Sequence, residues 1–276
     1  MKDFASIFLN KKVGGDMEKK QAKSYKGYTY ATWIIILLAW FIVTETNMVS
    51  SRLIPSPIQV VKTSIDIFVN GYNGMSFWQH LGISLYRLLL SSSLALITAI
   101  PLGLMSGYFP KFRAIVDSLV QFYRPLPPLA YYTLLILWLG IDESPKIMLL
   151  FLAAFAPIYL SCVSAVGKIP VDYINNAESL GATKKDIFFT VILPGSLPDI
   201  FTGLRTAVGV AYTTLVSAEM VAATSGIGWM VIDASKYLKS DVMFVGIIFM
   251  GLTGILIDMG LRLIEKRVVF WKGREN

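Results

Sequence analysis

Long apolar stretches separated by short polar segments dominate the pattern along this chain. Six of them are long enough to predict membrane-spanning helices, at residues 28–49, 81–109, 115–141, 147–169, 197–223 and 242–264. A helix needs about 20 apolar residues to cross the hydrocarbon core of a bilayer. The third stretch contains the sequence RPLPP at 124–128, which predicts a break in its helix. The pattern therefore predicts an all-α membrane protein with six transmembrane helices.

A shorter segment between the first two stretches has a different character. Residues 55–70 carry apolar side chains at helical spacing, but the segment is too short and too charged to cross a bilayer. We expect it to form an interfacial helix.

The composition agrees with a membrane protein. Of the 276 residues, 55% are hydrophobic and 16% charged, whereas an ordinary soluble domain has about 25% charged residues. This excludes a soluble globular protein and a disordered one. The chain has one cysteine, Cys162, and one histidine, His80, so it cannot form an internal disulfide or a Cys/His metal cluster. The same shortage argues against a membrane enzyme.

The positive charges predict an orientation. Seventeen lysines and arginines fall on the side that holds both termini and residues 170–189, and five fall on the other side. An excess of lysine and arginine marks the cytoplasmic side of a membrane protein. We therefore expect a basic cytoplasmic tail at 1–27, a transmembrane domain at 28–267 and a C-terminal tail at 268–276. The net charge of +7 needs no nucleic-acid partner.

The polar segment 170–189 has the signals of two short helices. Pro170 can occupy the first position of one helix, and Gly181 is placed to end it. Thr183 can cap a second helix, with Asp186 three residues later in a capping-box arrangement. The predicted result is a compact knob with a sharp turn at Gly181. A simpler interpretation remains open, in which the hairpin only connects two spans.

This segment resembles the EAA motif, EAA-x3-G-x11-LP, of permease subunits in binding-protein-dependent ABC importers. Asn175-Asn176-Ala177, Gly181 and Leu193-Pro194 follow its spacing, with asparagines in place of the first Glu and Ala. In that family the motif forms a coupling helix that sits in a groove of the cytoplasmic ATPase. The resemblance implies that ATPase-coupling residues lie at the following positions: Ala177, Glu178, Leu180, Gly181, Ala182, Leu193 and Pro194.

Other segments resemble one branch of that family, the taurine, sulfonate and nitrate importer permeases, and look most like those for taurine. They are PSP at 55–57, YRPLPPLA at 123–130, WLG at 138–140, LPGSLP at 193–198, TGLR at 202–205 and SAE at 217–219. The resemblance implies the type I ABC importer permease fold with both termini cytoplasmic, in the bacterial plasma (inner) membrane.

The same resemblance implies partners. They are a second copy of this chain, a cytoplasmic ABC ATPase dimer and an extracellular or periplasmic substrate-binding protein. The sequence has no G-x-x-x-x-G-K-[ST] phosphate loop, so we expect no cofactor and no enzyme activity in this chain, with ATP used by the ATPase. We expect taurine as substrate, then other alkanesulfonates, then nitrate or a similar small anion. A self-sufficient ion-coupled carrier is the alternative from another class.

Three arginines, Arg87, Arg124 and Arg205, lie within predicted spans, where each costs about 2.5–3.5 kcal/mol on insertion scales. Depth along the helices puts Glu219 within reach of Arg87 and leaves Arg124 and Arg205 without an acidic residue at their own depth. Arg124, Arg205 and Glu219 are therefore candidates for a translocation pathway for an anion or zwitterion. The alternative is structural: an Arg87–Glu219 ion pair, with the other two arginines bonded to free carbonyls or to aspartates nearer the cytoplasm.

Small residues at helical spacing leave a further choice open. Gly103 and Gly107, and likewise Ala207 and Ala211, lie four residues apart within predicted spans, a spacing that allows two helices to approach closely. Such pairs can pack within one subunit or at a subunit interface.

Overall fold

The computed structural model describes residues 27, 28, 30–46 and 48–271. Nearly all of the predicted tail 1–27 and most of the tail 268–276 lie outside them. Within the described residues the regular structure is helical, apart from one isolated β-bridge between Tyr72 and Met75. The helices are α1 Tyr30–Glu45, α2 Pro57–Asn70, α3 Phe77–Tyr108, α4 Pro110–Tyr123, α5 Pro128–Leu139, α6 Glu143–Gly167, α7 Val171–Ser179, α8 Lys184–Ile187, α9 Leu193–Ala222, α10 Ile227–Lys236 and α11 Ser240–Val268.

Four helical segments of the described chain are long and apolar enough to cross a membrane. They are α3, α6, α11 and the continuous stretch Lys184–Ala222 that contains α9. They match the second, fourth, sixth and fifth predicted spans. The other two predicted spans correspond to shorter apolar helices, α1 and α5, so a count of six crossings stays a prediction. The break at RPLPP is confirmed, because it separates α4 from α5.

Helix direction shows how the chain passes through the bundle. The guanidinium of Arg87 in α3 contacts Glu143 at the start of α6, and Gly107 near the end of α3 faces Val166 near the end of α6. These two helices therefore run parallel. The chain between them must return from one end of the bundle to the other, and α4 and α5 provide that return.

Small residues allow α3, α6 and α9 to pack closely. A Cβ atom built at Gly103 would lie 2.5 Å from the Cβ of Cys162 on α6, so a larger residue there would push the two helices apart. Ala207 and Ala211 on α9 are completely buried in the main hydrophobic core. Packing within one subunit is thus confirmed for both pairs of small residues.

The outer faces of the helices remain apolar and exposed. Leu89 on α3, Leu137 on α5 and Leu256 on α11 are among the large apolar side chains that the chain does not bury. Water would make such surfaces costly, whereas lipid tails solvate them without loss. This distribution agrees with a bilayer as the solvent around the bundle.

The chain divides into two compact units, Met1–Lys62 and Thr63–Asn276. In the described part of the first unit, the indole nitrogen of Trp40 donates a hydrogen bond of 3.0 Å to the carbonyl of Pro55. The helix α2, predicted as interfacial, begins in the first unit and ends in the second. All candidate functional residues lie in the second unit.

Candidate functional site

The segment between α6 and α9 folds as two short helices joined at Gly181, as predicted. Gly181 has a φ of +82°, a left-handed conformation that glycine adopts without steric cost. Its N–H donates to the carbonyl of Glu178 at 2.9 Å, and the N–H of Ala182 donates to the carbonyl of Ala177 at 3.0 Å. These two bonds form a Schellman motif, which satisfies the last carbonyls of α7. The turn is therefore fixed by backbone hydrogen bonds.

A capping box begins the second short helix, as the sequence predicted. The Thr183 hydroxyl accepts a hydrogen bond from the Asp186 N–H at 3.3 Å. The Asp186 carboxylate accepts in return from the Thr183 N–H at 3.0 Å. Together with the turn at Gly181, this box defines the direction in which the chain leaves α7 and enters α8.

The chain then joins α9 through a π-helical turn at Phe188–Ile192, which the sequence analysis missed. The N–H of Leu193 donates to the carbonyl of Phe188, five residues back. Pro194 follows at the start of α9, and it has no N–H for the carbonyl of Thr190. That proline was the available signal, because it removes a helical hydrogen-bond donor at this point in the chain.

Exposure divides this segment into a tip and an anchor. Leu180 is 89% exposed, although it is a large apolar side chain. In contrast, Ile187 and Ile192 are buried at 1% and 0% and fasten the segment to the bundle. The structure groups Ala177, Glu178, Leu180, Gly181 and Ala182 in the tip. It places Leu193 and Pro194 apart from them, at the junction with α9.

Arg87 lies at the centre of a buried ion cluster. Its side chain is 1% exposed, and its Nη1 lies 2.8 Å from Oε1 of Glu219, which is equally buried. The predicted Arg87–Glu219 pair is thus confirmed.

Glu143 at the start of α6 is a second partner that the sequence analysis missed. Its two carboxylate oxygens accept from Nε and Nη2 of Arg87 at 2.5 and 2.7 Å. This bidentate geometry is the strong form of an arginine–carboxylate contact.

Glu219 is fully engaged inside this cluster. Besides Arg87, it accepts hydrogen bonds from the Ser84 hydroxyl at 2.7 Å and from the Gly228 N–H at 2.9 Å. The carboxylate therefore joins α3, α9 and the start of α10. Its contacts account for it as part of the structure, and a role in the pathway stays a prediction.

The expectation that Arg205 has no acidic partner at its depth is wrong. Its Nη2 lies 3.0 Å from Oδ1 of Asp258, and its Nη1 lies 3.5 Å from Oε2 of Glu265. Asp258 and Glu265 are seven residues apart on α11, about two turns, and so share one face. Asp258 lies within the sixth predicted span, and the packing of α11 against α9 brings it to the depth of Arg205, which the depth estimate from sequence did not place correctly.

The aspartates considered as alternative partners for these arginines are engaged elsewhere. Asp117 pairs with Arg113 on its own helix at 3.0 Å and accepts from the Tyr159 hydroxyl at 2.7 Å. Asp199 pairs with Lys168 at 3.0 Å. Neither contacts Arg124 or Arg205.

Arg124 differs from the other two arginines. It follows the last residue of α4 and lines a cavity of about 510 Å³ between α5, α6 and α9. Its side chain makes no hydrogen bond or ion pair with any residue in the described part of the chain. Of the three arginines within predicted spans, Arg124 therefore holds a guanidinium that remains available to a ligand.

Comparison with known proteins gives consistent matches. Residues 99–270 match the family model described as binding-protein-dependent transport system inner membrane component. The chain is 40% identical to the taurine transport system permease protein TauC of Escherichia coli K12, covering 97% of this chain and 98% of the relative. It is 36% identical to the putative aliphatic sulfonates transport permease protein SsuC of the same organism, covering 87% and 91%. It is 31% identical to the nitrate import permease protein NrtB of Leptolyngbya laminosa, covering 87% of each.

A solved structure of the MetNI methionine ABC transporter in inward-facing conformations has a similar fold. The TM-score is 0.56 at 19% sequence identity, and the match covers 67% of this chain and 91% of that one. At this identity the similarity describes the fold alone.

Proposed function

This chain belongs to the binding-protein-dependent transport system inner membrane component family, in the branch of ABC importer permeases for taurine, sulfonates and nitrate, and we propose that taurine is the substrate it carries. The full-length likeness to a taurine permease supports this choice. Other alkanesulfonates are the next candidates, followed by nitrate. Arg124, whose free positive charge faces a cavity, suits any of these anionic groups.

The working unit would contain two copies of this chain in the bacterial inner membrane. Each copy would cross six times, with α4 and α5 together forming the third crossing and both termini in the cytoplasm. A dimer of ABC ATPases would bind from the cytoplasm, and a substrate-binding protein would deliver taurine from outside. Family membership supports these partners, and the distribution of lysine and arginine supports the orientation.

The tip at 177–182 is the proposed contact with the ATPase, and its geometry is the observation that carries this function. A Schellman motif fixes its turn, Leu180 projects at 89% exposure, and a continuous helical path leads from α8 into α9. A rigid tip attached to a transmembrane helix transmits motion, because packed elements move as bodies. Closure of the ATPases on ATP would therefore displace α9 and switch the pathway from inward-open to outward-open.

Within this scheme, the three predicted pathway residues have different roles. Arg124 would attract the anionic group of the substrate. Arg205 and Glu219 would instead hold α9 against α11 and α3 through the ion pairs described above. Both would then support the assembled bundle and would not contact the substrate.

Uptake by reconstituted vesicles tests the proposal. Vesicles that contain this chain, its ATPase and its binding protein are expected to accumulate labelled taurine only with ATP inside and binding protein outside. Calorimetric titration of the binding protein with taurine, ethanesulfonate and nitrate then ranks the substrates. Uptake by the permease alone along an ion gradient would support the self-sufficient carrier. Tighter binding of nitrate than of taurine would indicate that this chain belongs to a nitrate importer.

A further inference from the structure

The cavity beside Arg124 is lined by one positive charge and no negative charge. Of the residues that line it, Arg124 is the one that carries a formal charge, and the others are apolar, hydroxyl-bearing or glycine. Within the described chain no carboxylate neutralises it. An exposed cation beside apolar walls, with no carboxylate to pair with it, attracts an anionic ligand.

Two hydroxyl groups extend the site around this cation. Tyr131 on α5 and Ser161 on α6 both line the cavity, and neither side chain hydrogen-bonds to a described residue. Most serines within helices can satisfy their hydroxyl on a carbonyl of the preceding turn. A free hydroxyl can donate to an acceptor such as a sulfonate oxygen. The cavity thus combines a guanidinium fork with two further donors.

The cavity also has an acceptor for a cationic group, a backbone carbonyl that a proline leaves without its helical donor. Pro157 lies inside α6 and lines the cavity together with Ala153. Because proline has no N–H, it cannot donate to the carbonyl four residues earlier, which is that of Ala153. That carbonyl is a strong acceptor without its usual helical donor. An ammonium group at this position would supply the missing hydrogen bond.

Taking these observations together, we propose that the cavity is a transient binding site for a small amino-sulfonate zwitterion. The sulfonate binds Arg124 with help from Tyr131 and Ser161, and the ammonium binds the Ala153 carbonyl. This inference rests on the proposed function and refines it, since it gives the permease its own preference in addition to that of the binding protein. Nitrate has no donor group and would leave the carbonyl unpaired.

The test uses the purified complex of this chain with its ATPase, without the binding protein. Equilibrium dialysis with labelled taurine is expected to show saturable binding. Arg124→Gln is expected to weaken it about ten- to hundredfold, the usual range for losing a charged hydrogen-bonding partner. Arg124→Lys should retain part of the affinity. Arg113→Gln, a change on α4 at a 54% exposed side chain, is the matched control and should bind as the wild type does.

A second variant separates the two ends of the ligand. Pro157→Ala restores the N–H that the Ala153 carbonyl lacks. The restored N–H competes with the ammonium for this carbonyl, so taurine binding is expected to weaken about threefold, whereas ethanesulfonate binding should stay unchanged. Equal loss for both ligands would overturn the assignment of the ammonium site.

The remaining outcomes are equally decisive. Wild-type affinity in Arg124→Gln, or no taurine binding by a complex that imports taurine with its binding protein, would overturn the cavity site while the proposed function stands. Failure of import by the wild-type system would overturn the proposed function instead. Should Arg124→Gln not assemble with the ATPase, Ser161→Ala provides the test, since it only removes an oxygen and should still lower taurine affinity.

Discussion

At the scale of single residues, the three intramembrane arginines show what sequence can and cannot predict. Because a charged side chain is costly in a bilayer, each arginine was expected to have a partner or to face a polar cavity. The sequence suggested Glu219 for Arg87, because both were predicted to lie toward the outer side of the membrane. It missed Glu143, Asp258 and Glu265, because a partner on a neighbouring helix depends on which faces pack together. That information is not local to any stretch of the chain.

The buried cluster around Arg87 leads to a prediction about stability. Glu219 is 1% exposed and Glu143 is 48% exposed. Removal of one member of a buried ion pair costs about 3–5 kcal/mol. Without Glu219, Arg87 keeps Glu143 but loses its buried partner, and the Ser84 hydroxyl and the Gly228 N–H lose their acceptor. Glu219→Ala is therefore expected to lower the apparent melting temperature of the purified permease strongly, and Glu143→Ala by less. Fluorescence-monitored size-exclusion chromatography after heating would measure both, and equal losses would contradict the difference in burial.

Arg124 and Arg205 are expected to respond differently to the same substitution. Arg205→Gln removes the ion pairs with Asp258 and Glu265, but Asp258 keeps Arg262 as a partner at 2.7 Å, so the packing of α11 against α9 should persist. Taurine uptake per assembled complex should therefore remain close to wild type. Arg124→Gln should reduce uptake at unchanged assembly, since its charge serves the ligand. Uptake and co-purified ATPase, measured on the same preparations, would show this.

The double variant Arg205→Gln/Asp258→Asn serves as the control, because it removes both charges of one pair. A loss of uptake that both variants share would return Arg205 to the pathway, whereas a loss that the double variant relieves would come from the unpaired Asp258 carboxylate.

At the scale of elements, local signals were reliable where hydrogen bonding is local. The glycine turn, the capping box and the break at RPLPP all depend on a few consecutive residues, and all were predictable. The π-helical turn before Leu193 was not anticipated. Pro194 removes one helical donor there, but nothing in the sequence of this stretch distinguishes a π-helical turn from an α-helical one.

The tip of the coupling segment gives a prediction at this scale. Gly181 has a φ of +82° with no atom within 4 Å of an added Cβ, so Gly181→Val meets backbone strain and no steric clash. A left-handed conformation costs an L-residue roughly 1–2 kcal/mol, and a β-branched residue tolerates it least. The tip should therefore change shape while the bundle stays folded. In vesicles, the stimulation of ATP hydrolysis by loaded binding protein should be lost, and uptake should stop.

Gly74 offers a matched control for this change. It lies in the turn between α2 and α3, has a φ of +79° and likewise has open space around an added Cβ. Gly74→Val thus introduces similar strain at a site that the proposal does not connect with the ATPase. It should keep stimulated hydrolysis. Normal coupling in Gly181→Val would mean that segment 170–189 only connects two helices.

At the scale of the whole molecule, apolar length predicted where the long helices lie. It did not predict how they are arranged, because closeness of helices depends on small residues in register on different segments, as at Gly103 and Cys162. Because α3 and α6 run parallel, the chain between them must return from one end of the bundle to the other. The helices α4 and α5, separated by the break at RPLPP, together make that return.

That topology can be tested by labelling cysteines from either side of the membrane. Lys184 lies before α9 and Lys236 lies after it, and both side chains are exposed. With 30 residues, α9 is about 45 Å long, more than the roughly 30 Å of a hydrocarbon core, so the two positions belong on opposite sides. In a Cys162→Ala background, Lys184→Cys is expected to react with an impermeant maleimide only in inside-out vesicles. Lys236→Cys is expected to react only in intact cells.

The native Cys162 is completely buried, so its removal should not disturb the surface. Labelling of both positions from one side would contradict the crossing by α9, and an exchange of the two sides would reverse the orientation inferred from the lysines and arginines.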